Sequence, residues 1–267
     1  MEKLKYKLSK LKEYIRNLDS VAVAFSSGVD STFLLKIAHE VLKNRVIAYT
    51  VNSCLISDYE INSAIEFCKS EKIEHEIINI NVFDIEGFEK NPPDRCYICK
   101  KEIFKRIINC AKSKNISNII EGSNIDDMQD YRPGMIALKE LRVKSPLQYA
   151  QLSKNDIRKL SQDANLLTYN KQSMACLASR IPYNEDITEN KLNMISKSEK
   201  LLSDFGFECY RVRIHGDNLA RIEINPNDFK KLADYRKEIV EKMKYYGFKY
   251  VSLDLEGFRS GSMNEIL

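Results

Sequence analysis

The chain has 267 residues, of which 43% are hydrophobic and 30% are charged, so it can bury a substantial core and is not wholly disordered. Its 42 Lys and Arg residues exceed its 38 Asp and Glu residues by only four, which does not indicate nucleic-acid binding by charge alone. No apolar stretch approaches the roughly 20 residues of a membrane span, and the N-terminus has no apolar signal-peptide core. We therefore expect a cytoplasmic protein whose seven cysteines are reduced.

The first part of the chain alternates between strand and helix patterns. Short apolar runs, as over residues 21–25, are typical of strands buried on both faces. Apolar residues spaced three and four apart predict amphipathic helices, and Ser57 with Glu60 forms a capping-box pattern at a helix start. This order of elements favours a parallel α/β sheet with right-handed crossovers. The predicted strands are 21–25, 46–51, 75–80 and 118–122, and the predicted helices are 4–18, 33–42, 58–72, 101–113 and 153–164.

The remaining segments predict an insertion, a linker and a second domain. Residues 81–100 do not fit a short crossover, because the sequence Asn91-Pro92-Pro93-Asp94 breaks regular structure. Residues 165–190 read as a linker. Beyond it we predict helices at 189–205 and 228–245 and strands at 208–214, 219–224 and 249–255. The expected organisation is a larger α/β domain over 1–179 and a smaller α+β domain over 180–267.

A hydroxyl-rich segment lies between the first predicted strand and the helix that follows it. It reads Ser26-Ser27-Gly28-Val29-Asp30-Ser31-Thr32. Such a turn directs backbone N–H groups and the positive end of a helix toward one point, which favours an anion. Gly28 allows the backbone to approach closely. The segment has no Gly-Lys-Ser/Thr sequence, so it is not the common nucleotide P-loop. A polar turn that only caps the helix is the alternative.

Two segments carry cysteines that could act on a ligand. Cys96 and Cys99 form a Cys-x-x-Cys pair, whose thiolates can reach one metal centre. A redox pair, half of a zinc site and two structural thiols are the alternatives. Cys176 lies in the predicted linker near Arg180, which could hold a thiolate or a phosphate. For Cys176 the alternative is a buried apolar cysteine.

Two further segments carry polar residues where a ligand could bind. Residues 121–134, which include Asn124 and Asp127, follow a predicted buried strand, so they should lie at the same sheet edge as the 26–32 loop. A solvated acidic loop is the alternative. Arg211 and Arg213 should share one face of a strand and would repel each other unless an anion or a carboxylate joins them. Glu223 on the neighbouring predicted strand could provide that carboxylate.

The 26–32 sequence resembles the pyrophosphate loop of the N-type ATP pyrophosphatases, which usually reads Ser-Gly-Gly-x-Asp-Ser. Ser27 stands at the first glycine of that pattern. The resemblance implies a parallel-sheet domain of the adenine nucleotide alpha hydrolase type, which cleaves ATP between its α and β phosphates and adenylates a substrate. Asp30 would hold Mg²⁺, because a carboxylate so close to ATP needs a bridging cation. The residues implied to hold the phosphates are Ser26, Ser27, Gly28, Ser31 and Thr32.

Six stretches, spread over nearly the whole chain, resemble the LarE family of ATP-dependent sulfurtransferases, which build the nickel-pincer nucleotide cofactor. They read AFSSGVDSTFLLK, NPPDRCYICKKEIF, EGSNIDDMQDYRPG, MACLASRIPY, RVRIHGDNLARIEI and VSLDLEGFRSGSMNE. The resemblance implies that the enzyme adenylates the carboxylates of pyridinium-3,5-biscarboxylic acid mononucleotide. A sulfur nucleophile then displaces AMP and leaves thiocarboxylates. The resemblance also suggests a homo-oligomer.

The resemblance to the LarE family implies two alternative sulfur sources. In one type, the cysteine matching Cys176 gives up its own sulfur and becomes dehydroalanine. In the other, three cysteines hold a [4Fe-4S] cluster whose open iron carries an extra sulfide. Since Cys96 and Cys99 accompany Cys176, and the sacrificial type does not need them, we expect the cluster type. By the same resemblance, Asn124 and Asp127 would lie next to the adenylate or the substrate. The residues implied to bind the substrate phosphate or carboxylates are Ser179, Arg180, Arg211 and Arg213.

Three other functions remain open at this stage. A tRNA thiolase can share both the loop and the three-cysteine cluster, but it needs a basic surface for RNA. An amide-forming ligase would use the same adenylation with ammonia and would leave the three cysteines without a role. An ATP-sensing or iron–sulfur carrier module would release no pyrophosphate. We expect a small-molecule substrate, and neither nucleic acid nor membrane as partners.

Overall fold

The structure, a computed structural model, describes residues 2–129, 133–172, 175–259 and 261–265. Asp130, Arg132 and Met174, which belong to stretches singled out above, lie outside the described residues. The chain forms two compact units. Unit 1 comprises Met1–Ile85 and Asp94–Met174, and unit 2 comprises Glu86–Pro93 and Ala175–Leu267. The segment Glu86–Pro93 therefore belongs to unit 2, although unit 1 precedes and follows it in the sequence.

A four-stranded parallel sheet lies in unit 1 and confirms the predicted α/β class. The strands are β1 (Val21–Ala24), β2 (Val46–Asn52), β3 (Glu74–Asn79) and β4 (Ile119–Ile120), in the order β3-β2-β1-β4. Strands β1 and β2 are apolar and buried along nearly their whole length, as expected for strands covered on both faces. Because β1 and β4 are parallel neighbours, the loops that follow them emerge at the same edge of the sheet.

The helices of unit 1 follow the predicted order, with two short additions. Ser57 caps α3 with a complete capping box, as the sequence predicts, and Ser153 caps α7 in the same way. The short helices α5 and α6 were not predicted. The bounds are α1 (Glu2–Arg16), α2 (Val29–Leu42), α3 (Asp58–Glu71), α4 (Arg95–Ser113), α5 (Gly134–Glu140), α6 (Pro146–Tyr149) and α7 (Lys154–Asp163).

Helix α4 begins at Arg95, about six residues earlier than the predicted start near residue 101. The consecutive prolines Pro92 and Pro93 keep the residues before them out of a helix, because a residue before proline avoids the helical conformation. Nothing after them opposes a helix, so the Cys-x-x-Cys pair is helical. The prediction of irregular structure over 81–100 is therefore wrong for its last six residues.

The apolar core of unit 1 fixes the start of α2. Leu11 and Ile15 of α1 are 0% exposed, and they belong to the same cluster as Phe33 and Leu34 of α2 and Val23 of β1. Burial of a side chain of this size contributes about 1.5–3 kcal/mol. Since both β1 and α2 are anchored in this cluster, the loop between them is held at both ends.

Unit 2 is an α+β unit around a three-stranded sheet, which confirms the predicted class of this smaller part. In the order β5-β6-β7, the first pair is antiparallel and the second is parallel. The predicted helix over 228–245 is divided at Tyr235 into two helices. The bounds are α8 (Glu189–Asp204), β5 (Tyr210–His215), β6 (Leu219–Ile224), α9 (Phe229–Asp234), α10 (Arg236–Tyr245) and β7 (Tyr250–Leu253).

The segment Glu86–Pro93 is joined to the rest of unit 2 through Asn91. This residue is 0% exposed, and its side-chain nitrogen donates to the carbonyl oxygens of Ile181 (3.2 Å) and Pro182 (2.7 Å). Its own carbonyl oxygen accepts from the backbone N–H of Asn184 (2.9 Å). Such contacts satisfy the buried amide and set the path of the chain just after Arg180.

None of the helices in the described part of the chain combines the length and the apolar character needed to cross a lipid bilayer.

Candidate active site

The 26–32 loop joins the end of β1 to the start of α2. Gly28 precedes the first turn of α2, and its carbonyl oxygen accepts from the backbone N–H of Thr32 (2.9 Å). The hydroxyl oxygens of Ser26 and Ser31 lie 3.0 Å apart, and that of Ser31 accepts from the backbone N–H of Ser26 (3.3 Å). Two hydroxyl groups thus lie at the N-terminus of a 14-residue helix, an arrangement that stabilises an anion.

Ser27 adopts a left-handed backbone conformation, with φ at 52°. The pyrophosphatases that this loop resembles have glycine at this position, and a side chain there costs roughly 1–2 kcal/mol. Two contacts hold the residue in place. Its hydroxyl donates to the carbonyl oxygen of Glu60 (3.1 Å), and the ammonium of Lys171 donates to its carbonyl oxygen (3.1 Å). Neighbouring groups therefore stabilise the backbone shape that glycine would adopt freely.

The loop after β4 packs directly against the 26–32 loop. A Cβ atom at Gly122 would lie 3.0 Å from the backbone nitrogen of Ser31, so a larger residue would displace the start of α2. The side-chain nitrogen of Asn124 donates to Asp30 Oδ1 (3.3 Å), and its backbone N–H donates to Asp127 Oδ2 (2.8 Å). The two loops meet at one edge of the sheet, as the sequence predicts.

A buried carboxylate supports the loop after β4 from within. Glu121 is 7% exposed, and its Oε2 accepts from both the hydroxyl (2.7 Å) and the backbone N–H (3.1 Å) of Ser123. The hydroxyl of Ser145 donates to the other oxygen, Oε1. Both carboxylate oxygens of Glu121 thus accept hydrogen bonds, and the residue positions the loop on which Asn124 lies.

Two lysines outside the predicted motifs lie against the 26–32 loop. Lys154, the first residue of α7, forms an ion pair with Asp30. Lys171 is half-buried, and its ammonium contacts Ser27 and lies 5.5 Å from the centre of the Tyr59 ring. Burial lowers the pKa of Lys171. This edge of the sheet therefore presents two cations beside a loop suited to anions.

Cys96 and Cys99 lie in the first two turns of α4. Residues three apart in a helix face the same side, and here Cys96 is exposed and Cys99 is partly exposed. Helix α5 packs closely against this part of α4, because a Cβ atom at Gly134 would lie 2.6 Å from Cδ of Lys100. The thiol pair is thus accessible, and it lies on a helix whose position is set by tight packing.

Cys176 belongs to unit 2 and immediately precedes a short 3-10 helix, Leu177–Arg180. The residue is exposed. Its carbonyl oxygen accepts from the backbone N–H (2.9 Å) and the hydroxyl (2.7 Å) of Ser179, and from Nη1 of Arg180 (3.1 Å). The backbone at Cys176 is therefore fixed by three donors while the residue stays accessible.

Two of the three predicted arginines of unit 2 form buried ion pairs with glutamates. Arg180 is 0% exposed and makes a bidentate pair with Glu199, at 2.8 and 3.0 Å. Arg213 is 5% exposed and pairs with Glu223 in the same way, at 3.1 and 2.9 Å. Glu223 therefore does act as a carboxylate partner of an arginine, one of the alternatives that the sequence left open. These pairs give the arginines fixed orientations.

Arg211 completes this group of guanidinium ions. It is 6% exposed, and its guanidinium carbon lies 5.1 Å from the centre of the Phe258 ring. Burial lowers the pKa of Arg211, and the positive charge of Arg180 lowers it further. Arg211 is thus a buried guanidinium next to the pair of Arg180 and Glu199, and a bound anion would favour its cationic form.

The residues present fit the cofactors implied by the resemblance in their chemistry. Thiolates are the usual protein ligands of iron–sulfur clusters, and Cys96, Cys99 and Cys176 are accessible, whereas Cys68 is buried. Asp30 suits a cation, because an ammonium group already pairs with it. Within either unit, the described residues include no group of three His, Cys, Asp or Glu side chains that is arranged to hold a metal ion.

The structure distributes the predicted site residues over three places: the sheet edge of unit 1, helix α4 of unit 1, which carries Cys96 and Cys99, and unit 2. Ser26, Ser27, Gly28, Asp30, Ser31, Asn124 and Asp127 meet at the sheet edge of unit 1, and Cys176, Ser179, Arg180, Arg211 and Arg213 belong to unit 2. Thr32 is 1% exposed and lies within α2, and its hydroxyl is buried with no hydrogen-bond partner among the described residues. Sequence reasoning missed Lys154, Lys171 and Glu199. A buried arginine such as Arg180 needs a carboxylate partner, but the sequence does not show that Glu199 provides it.

Comparison with known proteins places the chain in a family. No family model matches it. A pyridinium-3,5-bisthiocarboxylic acid mononucleotide synthase from Lactiplantibacillus plantarum is 34% identical over 268 residues, covering 100% of this chain and 97% of that protein. An uncharacterized protein from Synechocystis sp. is 37% identical over 266 residues, covering 99% of both chains. Another, from Methanocaldococcus jannaschii, is 32% identical over 250 residues, covering 94% of both. Since the identity to the synthase extends over nearly the full length of both proteins, the chain belongs to the LarE family.

Proposed function

We propose that this chain is an ATP-dependent sulfurtransferase acting on the two carboxylates of pyridinium-3,5-biscarboxylic acid mononucleotide. The observation that carries the proposal is the full-length similarity to the Lactiplantibacillus plantarum synthase, whose name states a bisthiocarboxylic acid mononucleotide as product. Exchange of one oxygen for sulfur in each carboxylate of the biscarboxylic acid gives that product. The site geometry supports two chemical steps for each carboxylate.

In the first step, ATP activates the carboxylate. A carboxylate is a poor electrophile, and conversion to a mixed anhydride supplies a leaving group. A carboxylate oxygen attacks the α phosphorus of ATP, and pyrophosphate leaves with the electron pair of the broken P–O bond. The hydroxyls of Ser26 and Ser31 at the start of α2 would bind the phosphate chain. Asp30 would hold Mg²⁺, which neutralises phosphate charge.

In the second step, a sulfur nucleophile attacks the acyl carbon. AMP leaves with the former carboxylate oxygen, and a thiocarboxylate remains. Cys96, Cys99 and Cys176 would hold a [4Fe-4S] cluster, which supplies the sulfide when it is bound. The contacts of Ser179 and Arg180 with the carbonyl oxygen of Cys176 hold the backbone that carries this thiol. The same contacts would serve Cys176 if it were the sacrificial sulfur donor.

The buried arginines of unit 2 would bind the anionic groups of the substrate. Arg180 and Arg213 already pair with glutamates, so their main contribution is to orient the group. Arg211 lies where burial and a like charge both destabilise its cationic form. A phosphate or carboxylate of the substrate would stabilise the cationic form of Arg211. We therefore assign the direct substrate contact to Arg211.

Isotope transfer tests the activation step. The carboxylates of the substrate are labelled with ¹⁸O and the enzyme is incubated anaerobically with Mg-ATP and sulfide. Each turnover should yield AMP that carries one ¹⁸O atom, together with one thiocarboxylate. ADP as the nucleotide product, or AMP without the label, would contradict adenylation of the carboxylate.

Variants of single cysteines test the sulfur source. Wild-type protein reconstituted with iron and sulfide should give several products per chain without a change in its mass. Cys96→Ser should abolish both the cluster and repeated turnover. Cys110→Ser, on the same helix α4, is the matched control and should behave like the wild type. The sacrificial route would give a different result in both the wild type and Cys96→Ser. Each chain would then yield only one sulfur in the product, and Cys176 would lose mass equal to one hydrogen sulfide (H₂S).

A further inference from the structure

Lys171 is a half-buried cation whose described contacts are all with uncharged groups. Its ammonium donates to the carbonyl oxygen (3.1 Å) and the hydroxyl (3.4 Å) of Ser27, and it lies over the Tyr59 ring. No carboxylate of the described residues lies within 4.0 Å of this nitrogen. Withdrawing an ammonium from water without an opposite charge is unfavourable.

Burial lowers the pKa of Lys171, and the nearby negative charge of Glu60 opposes this shift without cancelling it. The other lysine at this edge differs, because Lys154 has Asp30 as its carboxylate partner. Lys171 instead lies against the 26–32 loop, beside hydroxyls and a helix N-terminus that favour an anion. Glu60 stabilises the cation only through longer-range attraction, so a bound anion would supply the directly paired negative charge that the described residues around Lys171 do not.

We propose that Lys171 binds the phosphate chain of ATP directly and is a further ligand-binding residue of the reaction. This proposal rests on the proposed function, because that function brings a polyphosphate to the 26–32 loop. The ammonium would donate to a phosphate oxygen while keeping its contact with Ser27. Lys171 would thus stabilise the negative charge that develops on pyrophosphate as it leaves.

A purely structural role for Lys171 is the competing explanation. In that case, its contact with the carbonyl oxygen of Ser27 would only hold the left-handed backbone conformation of this residue. Glycine adopts this conformation without help. The substitution Ser27→Gly should therefore make a structural lysine dispensable, whereas it cannot replace a phosphate ligand.

Calorimetric titration with Mg-ATP, inorganic pyrophosphate and adenosine distinguishes the two roles. Lys171→Met should weaken binding of Mg-ATP and pyrophosphate at least tenfold and leave adenosine binding unchanged. The double variant Ser27→Gly with Lys171→Met should be equally weak. Lys159→Met is the matched control, since Lys159 is an exposed lysine of unit 1, and it should bind all three ligands like the wild type.

Three results would overturn the assignment. Unchanged pyrophosphate binding in Lys171→Met would exclude a direct contact. Recovery of binding in the double variant would show that Lys171 acts only through Ser27. An equal loss of adenosine and pyrophosphate binding, with a lower melting temperature, would show that Lys171 supports the fold and makes no contact specific to phosphate. Wild-type protein that binds neither ATP nor pyrophosphate would instead contradict the proposed function itself.

Discussion

Arg180 and Glu199 form a bidentate ion pair in which the side chains are 0% and 7% exposed. One oxygen of Glu199 also accepts from the backbone N–H of Val212 (3.1 Å), so a single carboxylate joins the segment after Cys176, helix α8 and strand β5. Nη1 of Arg180 donates to the carbonyl oxygens of Ala175 and of Cys176 itself. The position of that cysteine therefore depends on a carboxylate 23 residues away in sequence.

Glu199→Gln should lower the free energy of unfolding by about 3 kcal/mol, because it leaves the buried charge of Arg180 without its counter-ion. Urea denaturation monitored by circular dichroism measures the change. The neighbouring variant Lys200→Met is the control, since it removes an exposed pair with Asp204 and should change stability by about 0.5 kcal/mol or less. Equal effects of the two substitutions would contradict a dominant role of the buried pair.

Ser27→Gly and Ser27→Ala both remove the hydroxyl that donates to Glu60, but only Ser27→Ala keeps a Cβ atom at positive φ. We therefore expect the glycine variant to be more stable than the alanine variant by about 1 kcal/mol. Thermal unfolding of both variants, without ligand, measures this difference. An alanine variant as stable as the glycine variant would show that the 26–32 loop relaxes when the hydroxyl is lost.

His75 should make unit 1 sensitive to acid. Burial lowers its pKa below the ordinary value of 6.5, so the native state binds a proton less readily than the unfolded chain. Its stabilising contribution is complete above about pH 6.5 and is lost as the pH falls toward the folded pKa. The urea midpoint should drop between pH 7.5 and 5.5, and the drop should be smaller in His75→Gln. His215, whose pKa is also lowered, leaves a residual slope. An identical slope in both proteins would exclude His75 as its source.

Thiol labelling should separate the cysteines into fast and slow classes. Burial raises the pKa of Cys68 to about 12, so this thiol is both inaccessible and protonated at pH 8. Cys96 and Cys176 are exposed and should react with iodoacetamide within minutes in the absence of a cluster. Peptide mass spectrometry at successive times measures the classes. Early labelling of Cys68 in folded protein would contradict the described packing of α3.

The periodic parts of the fold could be predicted from the sequence, and the breaks between them could not. Apolar runs and the Ser57 capping box locate β1, β2 and α3 to within a few residues. The sequence does not predict the division of the 228–245 helix at Tyr235, because these residues include no glycine or proline. Helices α5 and α6 have seven and four residues, too few for a helical repeat to be recognised.

Motif residues of the site could be predicted, but their long-range partners could not. Asp30 and Asn124 were expected at one sheet edge because each follows a predicted parallel strand, and the neighbouring positions of β1 and β4 explain why they meet. Lys154 and Lys171 contact the 26–32 loop from positions 124 and 144 residues further along the chain. No local pattern marks such a lysine, because its contact depends on how the intervening helices pack.

The segment Glu86–Pro93 has a consequence for how the protein is made. Asn91 finds its carbonyl partners about 90 residues later in the chain, at Ile181 and Pro182. At about 5–20 residues per second, a ribosome needs roughly 5–20 s to synthesise that interval. Phe88, 1% exposed in the finished fold, leaves the exit tunnel before the rest of unit 2 exists. Unit 2 therefore completes its assembly late in translation, and the nascent chain displays an apolar side chain to chaperones until then.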